Sequence, residues 1–600
     1  MEMITTKLEQ LRQIMKEKQI HAYVVCTDDF HGSEYVGEYF KMRQFLSGFT
    51  GSAGTLVVLE NEAALWTDGR YFLQAAAQLE GSTITLMKMG EPGVPTIEAY
   101  LAEKLSSNNI VGFDGRTVTC AFVNKLEEKL SEKQITFAWD TDLGDMVWKE
   151  RPALSKEPVW ELDIQYTGMS REEKLAKVRE KMTELGTDLF VLTSLDDIAW
   201  LLNLRGNDIR CNPVFLSYML IGQKDATLFI ENSIVADNIK EKLANCHIAL
   251  KDYDDLYQEL KTISDKRTVL LDTSKANYMV KMCIPGSVTI VDCMSPITFM
   301  KAVKTPTECE NTRLAHVKDG VAVTRFMYWL KHTIGKSEIT ELSAAKKLEE
   351  FRQEQEGYIE PSFEPIMAYG AHGAIVHYSA TKDSNATLEP RSFLLSDTGG
   401  QYYEGTTDIT RTYALGELTD EEKKAYTLVL MGHLNLKASK FLYGIRGMNL
   451  DSIAREPLWR YGMNYNHGTG HGVGFLLNVH EGPNSFRWQN PDNIVTSAVL
   501  EEGMITSNEP GVYITDRFGV RLENLIVCKK DIQNEFGQFM GFENLTMVPF
   551  DLDAVDTSFM SDREVELLNQ YHEEVYQNIS PYLEGDEKEW LREATRKVGK

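Results

Sequence analysis

Residues 466–474, NHGTGHGVG, set two histidines, His467 and His471, four positions apart among four glycines. Imidazole is a frequent metal ligand, and glycine allows the tight backbone on which such ligands are presented. Upstream, LLSDTGGQYYEGTTDITRTY carries Asp397 and Asp408 on two strand-like segments joined by a glycine-rich turn. Downstream, Glu509 in SNEPGVY and Glu523 in VRLENL flank another hairpin-like segment. A lone Asp near glycine commonly caps a turn, and a lone Glu523 inside an apolar strand could pair with Arg521. Four such carboxylates gathered together repel one another at low dielectric and call for cations. With a histidine they form the oxygen-rich set preferred by hard divalent ions. Two divalent cations would neutralise the four negative charges, whereas one would leave half of them uncompensated. The spacing by itself does not choose between His467 and His471.

Other chemistries lack their motifs. GTGHGVG and GFTGSAG contain neither G-x-x-x-x-G-K-[ST] nor a clean G-x-G-x-x-G, so neither is a nucleotide loop. There is no G-x-S-x-G elbow, and the eight cysteines are scattered without a CxxC pair, which points to a reducing compartment rather than to disulfides or a thiol nucleophile. A formal charge of −26 opposes phosphate backbones and anionic lipid, so nucleic acid is not expected as a partner. The opening MEMITTKLEQLRQIMKEKQIHAYVV has no signal-peptide core, and no later stretch is long and apolar enough for a membrane span. A cytoplasmic protein is expected.

The elements that must hold these residues fall into three parts. Hydrophobic residues at 43% and charged residues at 25% are ordinary for a folded globular chain, and 600 residues exceed what one core organises. LRQIMKEKQIHAYVVCTDD from Leu11 is echoed by VREKMTELGTDLFVLTSLDD from Val178, FLSGFTG by WLLNLRG, and GTLVVLENEAALWTD by LSYMLIGQKDATLFIE. This is a diverged duplication of an α/β unit. A proline-bearing linker near 149–163 separates the copies, and Thr305 with Glu308 forms a capping box around Pro306 that opens a new α+β domain. Domains are expected over 1–155, 156–303 and 304–600. Thr419 with Glu422 and Ser561 with Glu564 mark further helix starts, and residues 560–598 read as two amphipathic helices that close the last domain or line an interface.

The ordered set Asp397, Asp408, His471, Glu509 and Glu523, with HGTGHGVG and NVHEGP between, resembles the pita-bread metallopeptidases. The duplicated N-terminal modules and the length resemble, within them, the three-domain Xaa-Pro aminopeptidases. The resemblance implies two creatinase-like N-terminal α/β domains and a C-terminal pita-bread catalytic domain. It implies that Asp408 and Glu523 bridge two divalent ions, most often manganese, that Asp397 serves one and that His471 with Glu509 serves the other. His467 would help shape the substrate site, and Glu509 would accept the proton of the attacking water. His377 in AIVHYS would hydrogen-bond substrate near the scissile bond, and His480 in NVHEGP would contact substrate or the reaction intermediate. Taken alone, His377 reads as an ordinary core or surface histidine. The implied reaction removes the first residue of a peptide whose second residue is proline, in a homodimer. Two alternatives remain: a prolidase acting on Xaa-Pro dipeptides, which usually has one N-terminal module, and a peptide-binding module without catalysis. Every ligand position is filled, unlike in the metal-free relatives of this fold.

Overall fold

Leu8, Leu11 and Met15 recur at helical spacing, and in the computed structural model, which describes residues 2–488 and 498–600, they line the buried face of helix Glu2–Glu17. They pack with Tyr23 and Val25, while Ala22, Val24 and Cys26 face a second core. Strand Ala22–Cys26 is therefore covered on both faces, which is why AYVVC reads as an unbroken apolar run. The first six-stranded sheet runs, in spatial order, Ile84–Lys88, Ala63–Thr67, Thr55–Leu59, Ala22–Cys26, Ile110–Gly112 and Thr136–Ala138. The second runs Ile248–Lys251, Ala226–Ile230, Ser217–Gly222, Leu189–Leu192, Thr268–Leu271 and Thr289–Asp292. Both sheets have two antiparallel pairings at their centre and parallel pairings outside them. Two sheets of identical order and sense are what a duplicated unit produces.

The chain divides into two compact units, Met1–Asp163 with Met169–Thr298, and Ile164–Gly168 with Phe299–Lys600. The two sheets just described lie in the first. In the second, helix Pro306–Thr333 begins with the reciprocal Thr305–Glu308 box and proline in its first turn, and the boxes at Thr419–Glu422 and Ser561–Glu564 are formed as well. A three-stranded antiparallel sheet joins Ile366–Tyr369, Phe393–Thr398 and Ile409–Ala414. A six-stranded sheet has the order Phe441–Leu442, Gly537–Asn544, Asn524–Asn534, Ile505–Asn508, Gly470–Gly472, Glu481–Phe486. Val565, Leu568, Tyr571, Val575, Ile579 and Leu591 of the two C-terminal helices share a core with Tyr426 and Val429, so these helices close this unit. Glu481 of NVHEGP is buried between Lys301 at 2.9 Å and Lys304 at 2.5 Å.

The segment 393–414 is not one simple hairpin. Its centre leaves the sheet to form a small hairpin, Gly400–Tyr402 with Gly405–Thr406, that pairs with Tyr358–Pro361. Gly399 sits at the departure point, where a Cβ would come within 2.0 Å of Thr407 O. The excursion is anchored by a buried pair behind it. Arg352 Nε donates to Asp319 Oδ1 at 2.6 Å and its Nη2 to Thr398 Oγ1 at 3.0 Å, while Tyr402 and Thr407 hydroxyls donate to Asp319. Thr398 and Thr407 adjoin Asp397 and Asp408, so this pair fixes the backbone that carries both acids. Arg352→Ala would leave Asp319 buried without its counter-charge, at a cost of about 3–5 kcal/mol. A lowered urea midpoint for the variant, followed by circular dichroism, is the expected result; an unchanged midpoint would show that the pair contributes nothing.

Candidate metal centre

Two sheets converge on the carboxylates. In the three-stranded sheet Asp397 lies opposite Thr410, and Asp408 immediately precedes strand Ile409–Ala414. The far side of that strand is held to the segment bearing Glu523: Glu523 N donates to Thr410 O at 3.0 Å, Thr412 Oγ1 donates to Arg521 O at 2.9 Å, and Arg521 N donates to Thr412 Oγ1 at 3.2 Å. In the six-stranded sheet the Asn508–Asn524 pair brings Glu509 and Glu523 to the next step of the ladder, beyond which hairpin Gly511–Ile514/Phe518–Arg521 projects. Glu509 N donates to Thr469 O at 2.9 Å and His471 N to Ser507 Oγ at 2.9 Å, which sets the histidine beside the same ladder. The approach of these strands requires glycine ahead of the histidine. A Cβ on Gly470 would lie 1.9 Å from Ser507 O.

His471 Nε2 stands 3.5 Å from Asp408 Oδ2 and 3.5 Å from Glu509 Oε1. Its Nδ1 lies 2.9 Å from Gly472 O, so that nitrogen carries the hydrogen and leaves the Nε2 lone pair for a metal. Ligand atoms of Asp408, His471 and Glu523 fall within 4.8 Å of one another. Burial, with the charges of Asp408, Glu509 and Asp397, drives the Glu523 carboxyl well above its ordinary value. Asp397 and Glu509 are also raised, by burial first, although Arg521 opposes the rise at both. Burial alone would lower His471, yet the Asp408 hydrogen bond and the Glu509 charge prevail and push it up to about 9, so a cation binding at Nε2 would displace a proton from it. Asp397 Oδ1 and Glu523 Oε1 are buried without a hydrogen-bond donor. Mutually repelling carboxylates with undonated oxygens, facing one available imidazole nitrogen, fit divalent cations.

Arg521 changes the charge count. Its Nη2 donates to Asp397 Oδ2 at 2.6 Å, so the guanidinium pairs with Asp397 rather than with Glu523, the partner weighed from sequence. Glu523 instead accepts from Thr410 Oγ1 at 2.7 Å. Four carboxylates and one guanidinium leave three negative charges, and two divalent ions would turn these into one positive charge, suited to an anionic oxygen.

His467 takes a different part from His471. Its Nδ1 donates to Gly468 O at 2.7 Å, and its Nε2 accepts from Tyr513 OH at 2.8 Å. Tyr513 OH accepts from Arg521 Nη1 at 2.7 Å, completing a chain from the glycine-rich loop to Asp397. Burial and then the charge of Arg521 pull His467 down to about 3, so it is neutral and both its nitrogens are engaged. The His480 ring stands 4.4 Å from that of His471 at 86°. His377 is partly exposed, and the carbonyl just before it, Val376 O, accepts from Arg521 Nη2 at 3.3 Å. Arg521, Tyr513, Thr410 and Ser507, whose hydroxyl donates to Glu509 Oε1 at 3.3 Å, were not singled out from sequence as parts of the site. The alternation of polar residues in TDITRTY was the available signal for Thr410, two positions beyond Asp408 and hence on the same strand face.

Comparison with known proteins places this geometry. A Creatinase/Prolidase N-terminal domain model matches residues 7–141, and a second model so described matches 150–308. Metallopeptidase family M24 matches 310–530, and the C-terminal region of that peptidase matches 538–598. A probable Xaa-Pro aminopeptidase P of Neurospora crassa is 38% identical over 98% of this chain and 89% of its own. Aminopeptidase P2 of Arabidopsis thaliana is 38% identical over 100% and 89%. The crystal structure of an X-prolyl aminopeptidase from Caenorhabditis elegans, described as a cytosolic enzyme with a di-nuclear active site, superposes with a TM-score of 0.95 at 32% identity, covering 99% of this chain and 100% of that one. An Xaa-Pro dipeptidase from Bacillus anthracis covers 64% of this chain and 99% of its own, with a TM-score of 0.52 at 24% identity, and shares the fold over that length. With two creatinase-type N-terminal domains followed by a pita-bread M24 domain, the chain belongs to the Xaa-Pro aminopeptidase family of metallopeptidases.

Proposed function

We propose that this chain hydrolyses the bond between the first residue of a peptide and a proline in second position. The observation that carries the reading is likeness to Xaa-Pro aminopeptidases along the whole chain, both N-terminal modules included. The relatives matched along the whole chain are named Xaa-Pro aminopeptidases, which favours the aminopeptidase over a prolidase. The complete set of candidate ligands disfavours a module that only binds peptide.

Asp397, Asp408, His471, Glu509 and Glu523 would hold two divalent ions, Asp408 and Glu523 shared, Asp397 serving one and His471 with Glu509 the other; carboxylate-rich ligation suits manganese. Two divalent ions supply Lewis acidity, lowering the pKa of water and polarising a carbonyl. Glu509, beside the Ser507 hydroxyl, accepts the proton of the attacking water. His377 and His480 contact substrate and the developing oxyanion, and the free amino terminus rests near Asp397. His467, Tyr513 and Arg521 orient Asp397 without touching the reacting atoms. A proline nitrogen in the scissile bond has no N–H, so the site cannot depend on that donor. The proposal includes the domain division 1–155, 156–303 and 304–600, a cytoplasmic location in keeping with the nematode relative, and a homodimer, which light scattering tests directly.

Metal-stripped protein should release arginine from Arg-Pro-Pro when manganese is returned and spare an Xaa-Ala control, and Asp408→Ala should abolish the release. Cleavage confined to an Xaa-Pro dipeptide would make the chain a prolidase, and no cleavage with any divalent ion would leave a binding module. Thr410→Val keeps the shape of the side chain but removes the donor to Glu523. Loss of such a supporting hydrogen bond typically costs about 10–100-fold in metal affinity or activity. Titrating manganese into the stripped variant and following its turnover would test that expectation, and wild-type values for both would refute it.

A further inference from the structure

Arg411 lies between Thr410 and Thr412 on strand Ile409–Ala414, and strand alternation turns it to the face opposite theirs. It is 1% exposed, yet the oxygens that its guanidinium bonds are all neutral. Nη1 donates to Thr410 O at 2.8 Å and to Glu523 O at 2.6 Å. These are the two residues whose side chains meet where the Thr410 hydroxyl donates to the Glu523 carboxylate. Nη2 donates to Asn524 Oδ1 at 2.7 Å, Val548 O at 2.8 Å and Tyr571 OH at 3.0 Å, and Nε donates to Pro549 O at 3.2 Å. A buried charge without a counter-ion is costly, so every donor has to be met, and here each one is. The guanidinium fork reaches several segments at once, which the point-like ammonium of a lysine does not.

The acceptors come from two places. Thr410, Glu523 and Asn524 belong to the metal centre and the ladder that carries it, whereas Val548, Pro549 and Tyr571 belong to the C-terminal part of the chain. Tyr571 is 4% exposed on helix Asp562–Ile579; its hydroxyl donates to Val548 O at 2.7 Å and accepts from Val548 N at 3.3 Å. The Phe550 ring backs the guanidinium, with its centroid 4.3 Å from the central carbon. We propose that Arg411 is a positioning residue that couples docking of helix Asp562–Ile579 to metal binding. The docked helix, through Tyr571 and Val548, holds the guanidinium, and the guanidinium holds the backbone of Thr410 and Glu523, so that the Glu523 carboxylate is presented to the ions. Such coupling is reciprocal: ions that fix Glu523 tighten the helix in turn. The inference rests on Glu523 being a metal ligand and is independent of which peptide is cut.

Manganese titrated calorimetrically into metal-stripped, full-length protein should bind about tenfold or more weakly to Tyr571→Phe, which loses only a hydroxyl, and to Arg411→Lys, which keeps the charge without the fork. Hydrogen exchange gives the readout that a purely structural role would not move. In the unsubstituted protein, manganese should slow amide exchange in helix Asp562–Ile579 more than in helix Arg171–Glu184 of the first unit, and Tyr571→Phe should abolish that difference. A hydroxyl with only a structural role would leave the difference in place, the variant exchanging faster with and without the ion. The proposal is overturned if both variants bind manganese as the unsubstituted protein does, or if manganese slows the C-terminal helix no more than the comparison helix. Failure of the unsubstituted protein to bind manganese would remove the metal reading and this proposal together, whereas binding without coupling removes the proposal alone. The exchange comparison in the unsubstituted protein needs no variant and so decides the matter even if Arg411→Lys does not fold.

Discussion

Four carboxylates gathered at one site, largely out of water, are the constraint around which the second unit is organised. Such a group is unstable by itself: burial first, and then neighbouring carboxylate charge, raise Asp397, Glu509 and Glu523, and Glu523 is driven well above its ordinary value. The fold opposes this repulsion with rigid backbone. Two sheets are laced together through Thr410, Thr412 and Arg521, a buried Asp319–Arg352 pair clamps the excursion between Asp397 and Asp408, and one internal guanidinium offsets a single charge. The deficit that remains is the affinity for cations. In this sense metal binding is the release of a stress that folding imposes, and it should stabilise the folded chain by mass action.

The supporting hydrogen bonds also sort the histidines. His471 spends one nitrogen on a carbonyl and keeps the other directed at Asp408 and Glu509, whereas His467 spends both. The same side chain four residues away thus has no ring nitrogen left over, because Gly468 O and Tyr513 OH engage both. Arg521 is shared more widely still, since it contacts Asp397, Tyr513 and the carbonyl preceding His377. A single substitution there would disturb charge balance, histidine placement and the segment that carries His377 together.

Much of this was legible in the sequence wherever local pattern determines local structure. The capping boxes at Thr305, Thr419 and Ser561 start helices where they were expected, and the repeated helix–strand order appears as two sheets of identical topology. The acids could be grouped because they flank hairpin-like segments. What could not be read depends on partners distant in the chain. The pairing of Arg521 with Asp397 spans 124 positions, the division of 393–414 between two sheets turns on a contact at Gly399, and the role of His467 is decided by Tyr513.

Gly470 carries a consequence at the level of the gene. Every amino-acid replacement reachable from a glycine codon adds at least a Cβ, and here that atom would sit inside the carbonyl oxygen of Ser507. No single-nucleotide missense change at this codon leads to a tolerable side chain, so the position has no neutral neighbours in sequence space. The histidine that follows it is consequently anchored twice over, once by its own chemistry and once by an adjacent residue that cannot be replaced.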